Sequence, residues 1–131
     1  MRTLTLITLL CLLIGAQNCG KTDYRQGKAL YTQHCANCHL EHGKGLGILI
    51  PPLANSDWLK NNQDQITCVI RNGMEGPVVV NDTTYNQVMP ANIELTDFQI
   101  TNLTNYINHA WGNDYGVAKL EDIREQFESC R

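Results

Sequence analysis

The chain has 131 residues, 43% hydrophobic and 18% charged, and its 10 Lys and Arg against 13 Asp and Glu leave a formal charge of −3. That length fits one domain, and the acidic balance argues against nucleic acid, whose phosphates call for clustered Lys and Arg. Ten Gly and four Pro are near average usage, which excludes collagen-like and long disordered chains.

The first element in chain order is an address. Arg2 precedes an apolar run from Leu4 to Ile14, interrupted only by Thr5 and Thr8. A positive start and a short apolar core mark a secretory signal, and the run falls short of the roughly 18 residues that would span a bilayer. Two cleavage positions fit the residues beyond this run. Cutting after Ala16 leaves a soluble protein, whereas cutting before Cys19 leaves a cysteine that can carry lipid. Either way the mature chain is exported.

Next comes a helix expected from Tyr24 to Cys35, with Asp23 as its cap. Leu30 and Tyr31 share one face, and Gly27 lies one turn before Tyr31, where a second helix can come close. Lys44 to Ser56 is rich in Gly and Pro and reads as loop. Trp58 to Gly73 reads as one middle helix or two, and Val78 to Val80 ahead of Asn81-Asp82 as a short hairpin arm. The last long helix should start at Thr96, with Asp97 in its first turn where negative charge suits the helix dipole. Its apolar positions Ile100, Leu103, Ile107 and Trp111 step by three and four, and Leu95, Phe98, Tyr106 and Ala110 widen that face. In the tail, Leu120, Ile123 and Phe127 predict a short amphipathic helix packing back on the domain.

The chemistry is concentrated at residues 35–39. Cys35-Ala36-Asn37-Cys38-His39 is C-x-x-C-H, the c-type haem attachment sequence. Two thiols three apart on one turn can each form a thioether with a vinyl group on one haem edge, and the adjoining imidazole can reach the iron from one face. A thioredoxin-like pair needs a βαβ pattern that the sequence lacks. Half a zinc site needs a second C-x-x-C or H-x-H cluster, also lacking. A disulfide across two intervening residues is the remaining rival.

Gly27-x-x-x-Tyr31, the C-A-N-C-H run, Pro51-Pro52-Leu53, Met89-Pro90 and the helix ending Tyr106-Ile107 together resemble a class I monohaem cytochrome c, over about residues 24 to 111. The stretches Arg71 to Pro77 and Tyr85 to Pro90, closed by Trp111-Gly112-Asn113, resemble the cytochrome c domains and subunits attached to bacterial periplasmic oxidoreductases. C-x-x-C-H near the start of the mature chain is unlike the four-helix cytochrome c′ type. The resemblance implies an all-α cytochrome c fold, a small helical bundle around one covalently bound haem. The leader in turn resembles a bacterial lipoprotein signal. The chain then divides into a signal peptide at 1–18, a linker at 19–23, the cytochrome domain at 24–111 and a helical extension at 112–131.

The second axial ligand to the iron is expected from Met89, which stands before Pro90 as in the family's Met-Pro loop; Pro stiffens that loop. Met74, between two glycines, is the alternative ligand or a wall residue. His34, His42 and His109 are read as solvated. By resemblance, the Pro51 carbonyl accepts from the His39 ring and Leu53 packs on the haem. Arg71, Trp58 and Tyr85 are candidate donors to the haem propionates. Five cysteines remain beyond the leader: Cys35 and Cys38 go to haem, Cys68 and Cys130 are expected to pair, and a lipid on Cys19 accounts for the odd one.

No Ser-His-Asp order, phosphate loop or paired-carboxylate motif is present. The expected function is one-electron transfer between protein redox partners, with Lys28, Lys44 and Lys60 about the docking face. Two alternatives stand beside it: a haem peroxidase or gas sensor with an open sixth position, and an electron-accepting subunit of a larger dehydrogenase or reductase.

Overall fold

The computed structural model describes residues 23–130. The signal segment, most of the linker and the proposed lipid site Cys19 lie outside the described residues. The described chain is mostly helical: α1 (Arg25–His34), α2 (Ala36–His39), α3 (Asp57–Asn61), α4 (Ile66–Asn72), α5 (Asp97–His109) and α6 (Leu120–Ser129), with a hairpin of β1 (Val78–Val80) and β2 (Thr83–Tyr85) between α4 and α5. The strands are antiparallel and pair Val78 with Tyr85, and the turn is made by Asn81 and Asp82, both at positive φ.

The most extensive interhelical contact joins α1 to α5. It is possible because Gly27 has no side chain: a Cβ there would overlap the Asn102 carbonyl and stand 2.6 Å from the Tyr106 Cβ. Tyr31, one turn on, is buried at this crossing, and its ring packs against Tyr106 and Trp111. From α5, Ile100, Leu103 and Ile107 enter the core, where they meet Leu59, Ile66 and Ile70 of α3 and α4. The start of α5 is fixed by a capping box: Thr96 Oγ1 accepts from the Gln99 amide, and the Gln99 side chain accepts from the Thr96 amide.

Four local expectations are corrected. Asp23 does not cap α1; Tyr24 holds that position without a side-chain bond, and the Asp23 carboxylate lies 3.6 Å from Arg25 instead. Phe98 is 59% exposed, because two residues before Ile100 it falls on the opposite side of the helix. Trp111 lies past the end of α5 at φ +56°, and reaches the aromatic cluster by folding back, with its indole N–H donating to the Glu41 carbonyl at 3.0 Å. His34 is not solvated, since its side chain is 17% exposed and sits 3.7 Å from Glu94.

Beyond α5, buried asparagines hold the chain against the bundle. Asn105 bonds both ways with the backbone of Ala118, at 2.9 Å each, and Asn108 donates to Gln63 and Gly116. α6 then lies against α4 and α5 with Ile123 buried. Cys130, just after α6, is disulfide-bonded to Cys68 of α4, with Cα atoms 5.4 Å apart.

Candidate functional site

The C-x-x-C-H run begins at Cys35, the break between α1 and α2, and its other four residues form α2. The Cys35 carbonyl accepts from the amides of Cys38 at 3.1 Å and His39 at 2.9 Å. That tight turn brings Cys35, Cys38 and His39 to the wall of one cavity. Both thiols are free of disulfide. Burial pushes the Cys35 thiol up to about 12, with Cys38 beside it adding to the rise, so it is protonated at neutral pH.

His39 is 8% exposed, and its Nδ1 lies 3.0 Å from the Pro51 carbonyl oxygen. A carbonyl only accepts, so Nδ1 donates and Nε2 keeps its lone pair. Burial lowers the pKa of this ring against the raising influence of the Pro51 bond, and the neutral form is favoured. A neutral imidazole with one nitrogen occupied and the other free is the form that binds iron.

The position of Pro51 is itself held by the loop around it. The Gly43 carbonyl accepts from the amides of Leu53 at 2.7 Å and Ala54 at 2.9 Å. Asn113 adds a second anchor: its Nδ2 donates to the carbonyls of Leu53 at 3.0 Å and Ile107 at 2.8 Å, while its Oδ1 accepts from the Asn55 amide at 2.8 Å. One side chain thus ties the loop carrying Pro51 to the end of α5. The sequence marks Asn113 only as the end of Trp111-Gly112-Asn113; a Gly-Asn pair just past a helix is its one local signal, and it does not reveal this task.

The cavity is partly open to solvent. Its walls come from the loop at Pro51 to Leu53, from α3 and α4, from the hairpin, and from Met74 and Met89; no Asp, Glu, Lys or Arg lines it. Trp58, Tyr85, Gln87 and Ser56 supply the polar groups. Cys38, Val88 and Pro90 both line the cavity and are exposed, which marks the mouth.

Most of the sequence-derived candidates therefore converge: Cys35, Cys38, His39, Pro51, Leu53, Trp58, Tyr85, Met74 and Met89 all contribute to one wall system. Arg71 does not, and its assignment to the propionates is corrected. Its guanidinium lies 2.9 Å from Asp97 and 3.9 Å from the centre of the Phe127 ring, so it braces α4 against α5 and α6. His109 is also away from the cavity, with Nδ1 2.8 Å from the Asn105 carbonyl and its ring stacked on Tyr24. His42 is exposed, as are Lys28, Lys44 and Lys60. Among the described residues no three His, Cys, Asp or Glu are gathered to hold a bare metal ion, which leaves a zinc reading of the two cysteines without partners.

The cytochrome c family model matches residues 24–111. The chain belongs to the cytochrome c family. It is similar to two proteins of Thermus thermophilus named cytochrome c-552. One is 32% identical over 106 residues, covering 78% of this chain and 69% of the relative. The other is 33% identical over 91 residues, covering 66% and 69%. It is also 28% identical over 102 residues to the cytochrome c subunit of a quinone alcohol dehydrogenase from Gluconobacter oxydans, covering 76% of this chain but 21% of that subunit.

Membership makes this an electron-transfer cytochrome with covalent haem c. The residues present suit that group. Two unpaired thiols on one turn, a buried imidazole with a free nitrogen, sulfur donors elsewhere on the wall, and apolar sides without a charge match the demands of a covalently held metalloporphyrin.

Proposed function

We propose that this cytochrome is an exported electron carrier in which Cys35 and Cys38 hold haem c by thioether bonds while His39 and Met89 ligate its iron. The observation that carries this reading is His39: buried, oriented through Nδ1 by Pro51, and adjoining two free thiols in a cavity whose wall includes Met89.

When bound, haem c supplies a one-electron Fe(III)/Fe(II) couple. His39 offers Nε2 in a ring that the Pro51 carbonyl keeps from turning. A Met89 thioether on that iron would favour the reduced metal and raise the potential relative to a second imidazole. Leu53 and the apolar residues of α4 keep water from the site. Trp58 and Tyr85 serve as donors for the haem carboxylates. A haem iron held by both His39 and Met89 would leave no place for peroxide or a gas, which favours a carrier over an enzyme. The mouth at Cys38, Val88 and Pro90 would be the place for a redox partner to dock.

Residues 1–18 act as the signal, and Cys19 carries a lipid that holds the mature protein on the periplasmic side of a bacterial membrane, through the linker at 19–23. With Cys68 bonded to Cys130 and Cys35 and Cys38 given to haem, Cys19 is the one cysteine beyond the leader without a fate, and lipid supplies it. A Cys19→Ser variant should move from the membrane fraction to the soluble one.

The decisive test is the mature protein from a host that attaches haem c. Its acid-denatured polypeptide should retain colour and one haem of mass. The oxidised protein should show the weak near-red band of iron–thioether ligation. In the reduced protein, a methionine methyl resonance strongly shifted by the porphyrin ring should be assigned to Met89. A colourless denatured chain at bare-polypeptide mass would overturn the reading. The 28% identity to a dehydrogenase subunit favours a second reading, that this chain accepts electrons as part of a larger enzyme. Gentle purification decides it, as either a lone cytochrome or a stable complex.

A further inference from the structure

Met74 and Met89 are joined by backbone as well as by chemistry. Each is the partner of the other in an isolated antiparallel bridge, with Met74 N–H donating to the Met89 carbonyl at 3.0 Å and Met89 N–H to the Met74 carbonyl at 2.9 Å. Residues that exchange both bonds stand about 5.5 Å apart at Cα and project their side chains to the same face. Both side chains accordingly line the cavity. Gly73 locks the arrangement: it ends α4 at φ +77°, and a Cβ there would overlap the Met89 carbonyl and crowd the Ala91 amide at 3.0 Å. The thioether of Met is carried on three rotatable bonds, so it can sweep the space before it. Apart from Cys35 and Cys38, these are the only sulfur atoms on the cavity wall among the described residues, and His34, His42 and His109 do not line it.

We infer that Met74 is a reserve axial ligand, placed so that its thioether takes the iron position when the Met89 thioether leaves it. The inference rests on the reading of Met89 as the resident ligand. The exchange is a substitution at the metal: one Fe–S bond breaks, another forms, and no electron or proton is consumed. Neighbouring backbone positions make it local, since the two residues stay hydrogen-bonded to each other while only side-chain torsions change.

The test uses the mature haem-loaded protein labelled with 13C at its methionine methyls, compared with Met89→Leu, Met74→Leu and the double variant. Leucine keeps the volume and removes the sulfur. Met89→Leu should lose the Met89 resonance, gain a ring-shifted Met74 resonance, keep the near-red band and refuse carbon monoxide in the reduced state. The double variant should lose the band and bind carbon monoxide. If Met89→Leu behaves like the double variant while Met74→Leu resembles the parent, the reserve role is overturned and the His39/Met89 reading stands. If instead Met74→Leu alone loses the ring-shifted resonance, the Met89 reading fails and the reserve assignment falls with it. A measurement on the unsubstituted protein needs no variant to fold: exchange spectroscopy on warming should connect the two methyl resonances, and no exchange up to the unfolding transition would count against the inference.

Discussion

At the scale of single residues, two positions do more than their size suggests. Gly27 fits because the Asn102 carbonyl of α5 fills the place where a side chain would begin. Backbone cannot step aside as a side-chain tip can. Gly27→Ala should therefore cost about 1–3 kcal/mol, the usual penalty of overpacking, read as a lower denaturation midpoint with the spectrum of the haem unchanged. Asn113 satisfies one carbonyl and one amide of the Pro51 loop and one carbonyl of α5. Asn113→Ala leaves buried groups unpaired, at about 1–3 kcal/mol. Because those groups position the partner of His39, the same change should also broaden or shift the His39 ring signals, which a loss of stability alone would not do.

At the scale of elements, α5 was readable from the sequence because its signals are local. Thr96, Asp97 and the three-four spacing of Ile100, Leu103 and Ile107 lie within the helix and need nothing from elsewhere. Thr96→Ala breaks the capping box and should cost about 1 kcal/mol in a denaturant titration. Arg71 was not readable, since what it touches is Asp97 on α5 and Phe127 on α6, elements that are distant in sequence. The Met74–Met89 bridge was hidden for the same reason: pairing across a hairpin leaves no mark on either residue. α6 is held by Ile123, by the Arg71–Phe127 stack and by the Cys68–Cys130 bond, whose ends are 62 residues apart. A closed loop of that size is worth on the order of 4 kcal/mol in the chain-entropy picture. Replacing both cysteines by serine should lower the midpoint accordingly, and reductant should no longer change the mass of the denatured chain.

At the scale of the whole molecule, the fold class was legible through the family resemblance carried jointly by Gly27 and Tyr31, C-x-x-C-H, Met89-Pro90 and the last long helix. The loops that complete the cavity were less legible, for they lack periodicity and are fixed by Gly43, Asn113 and Gly73 from outside themselves. Those loops nonetheless share one property visible in sequence: residues 45–56, 76–81 and 83–93 contain no charged side chain. They carry Leu46, Ile48, Leu49, Val79, Val88 and Ile93, all more than half exposed. Charges separated from a contact by more than a Debye length, about 10 Å at 0.1 M salt, are screened from it. Electron self-exchange between reduced and oxidised copies, measured by line broadening, should hence vary less with salt for an encounter through these loops than for one through the flanking charges at Glu75, Asp82 and Glu94. A steep change would mean that charges outside these loops govern the encounter.

The Cys68–Cys130 bond also constrains how the protein is made. On the proposed export with Cys19 lipidated, Cys35, Cys38, Cys68 and Cys130 would emerge into the same oxidising space, and four cysteines allow three pairings. For the proposed thioethers Cys35 and Cys38 would have to stay reduced until the porphyrin arrives, whereas Cys68 and Cys130 are bonded to each other, and neither of the latter two lines the cavity. On that reading biogenesis would need an oxidant and a reductant acting on one polypeptide at separate addresses. A host that supplied only the first would accumulate scrambled, colourless chains, however well it secreted them.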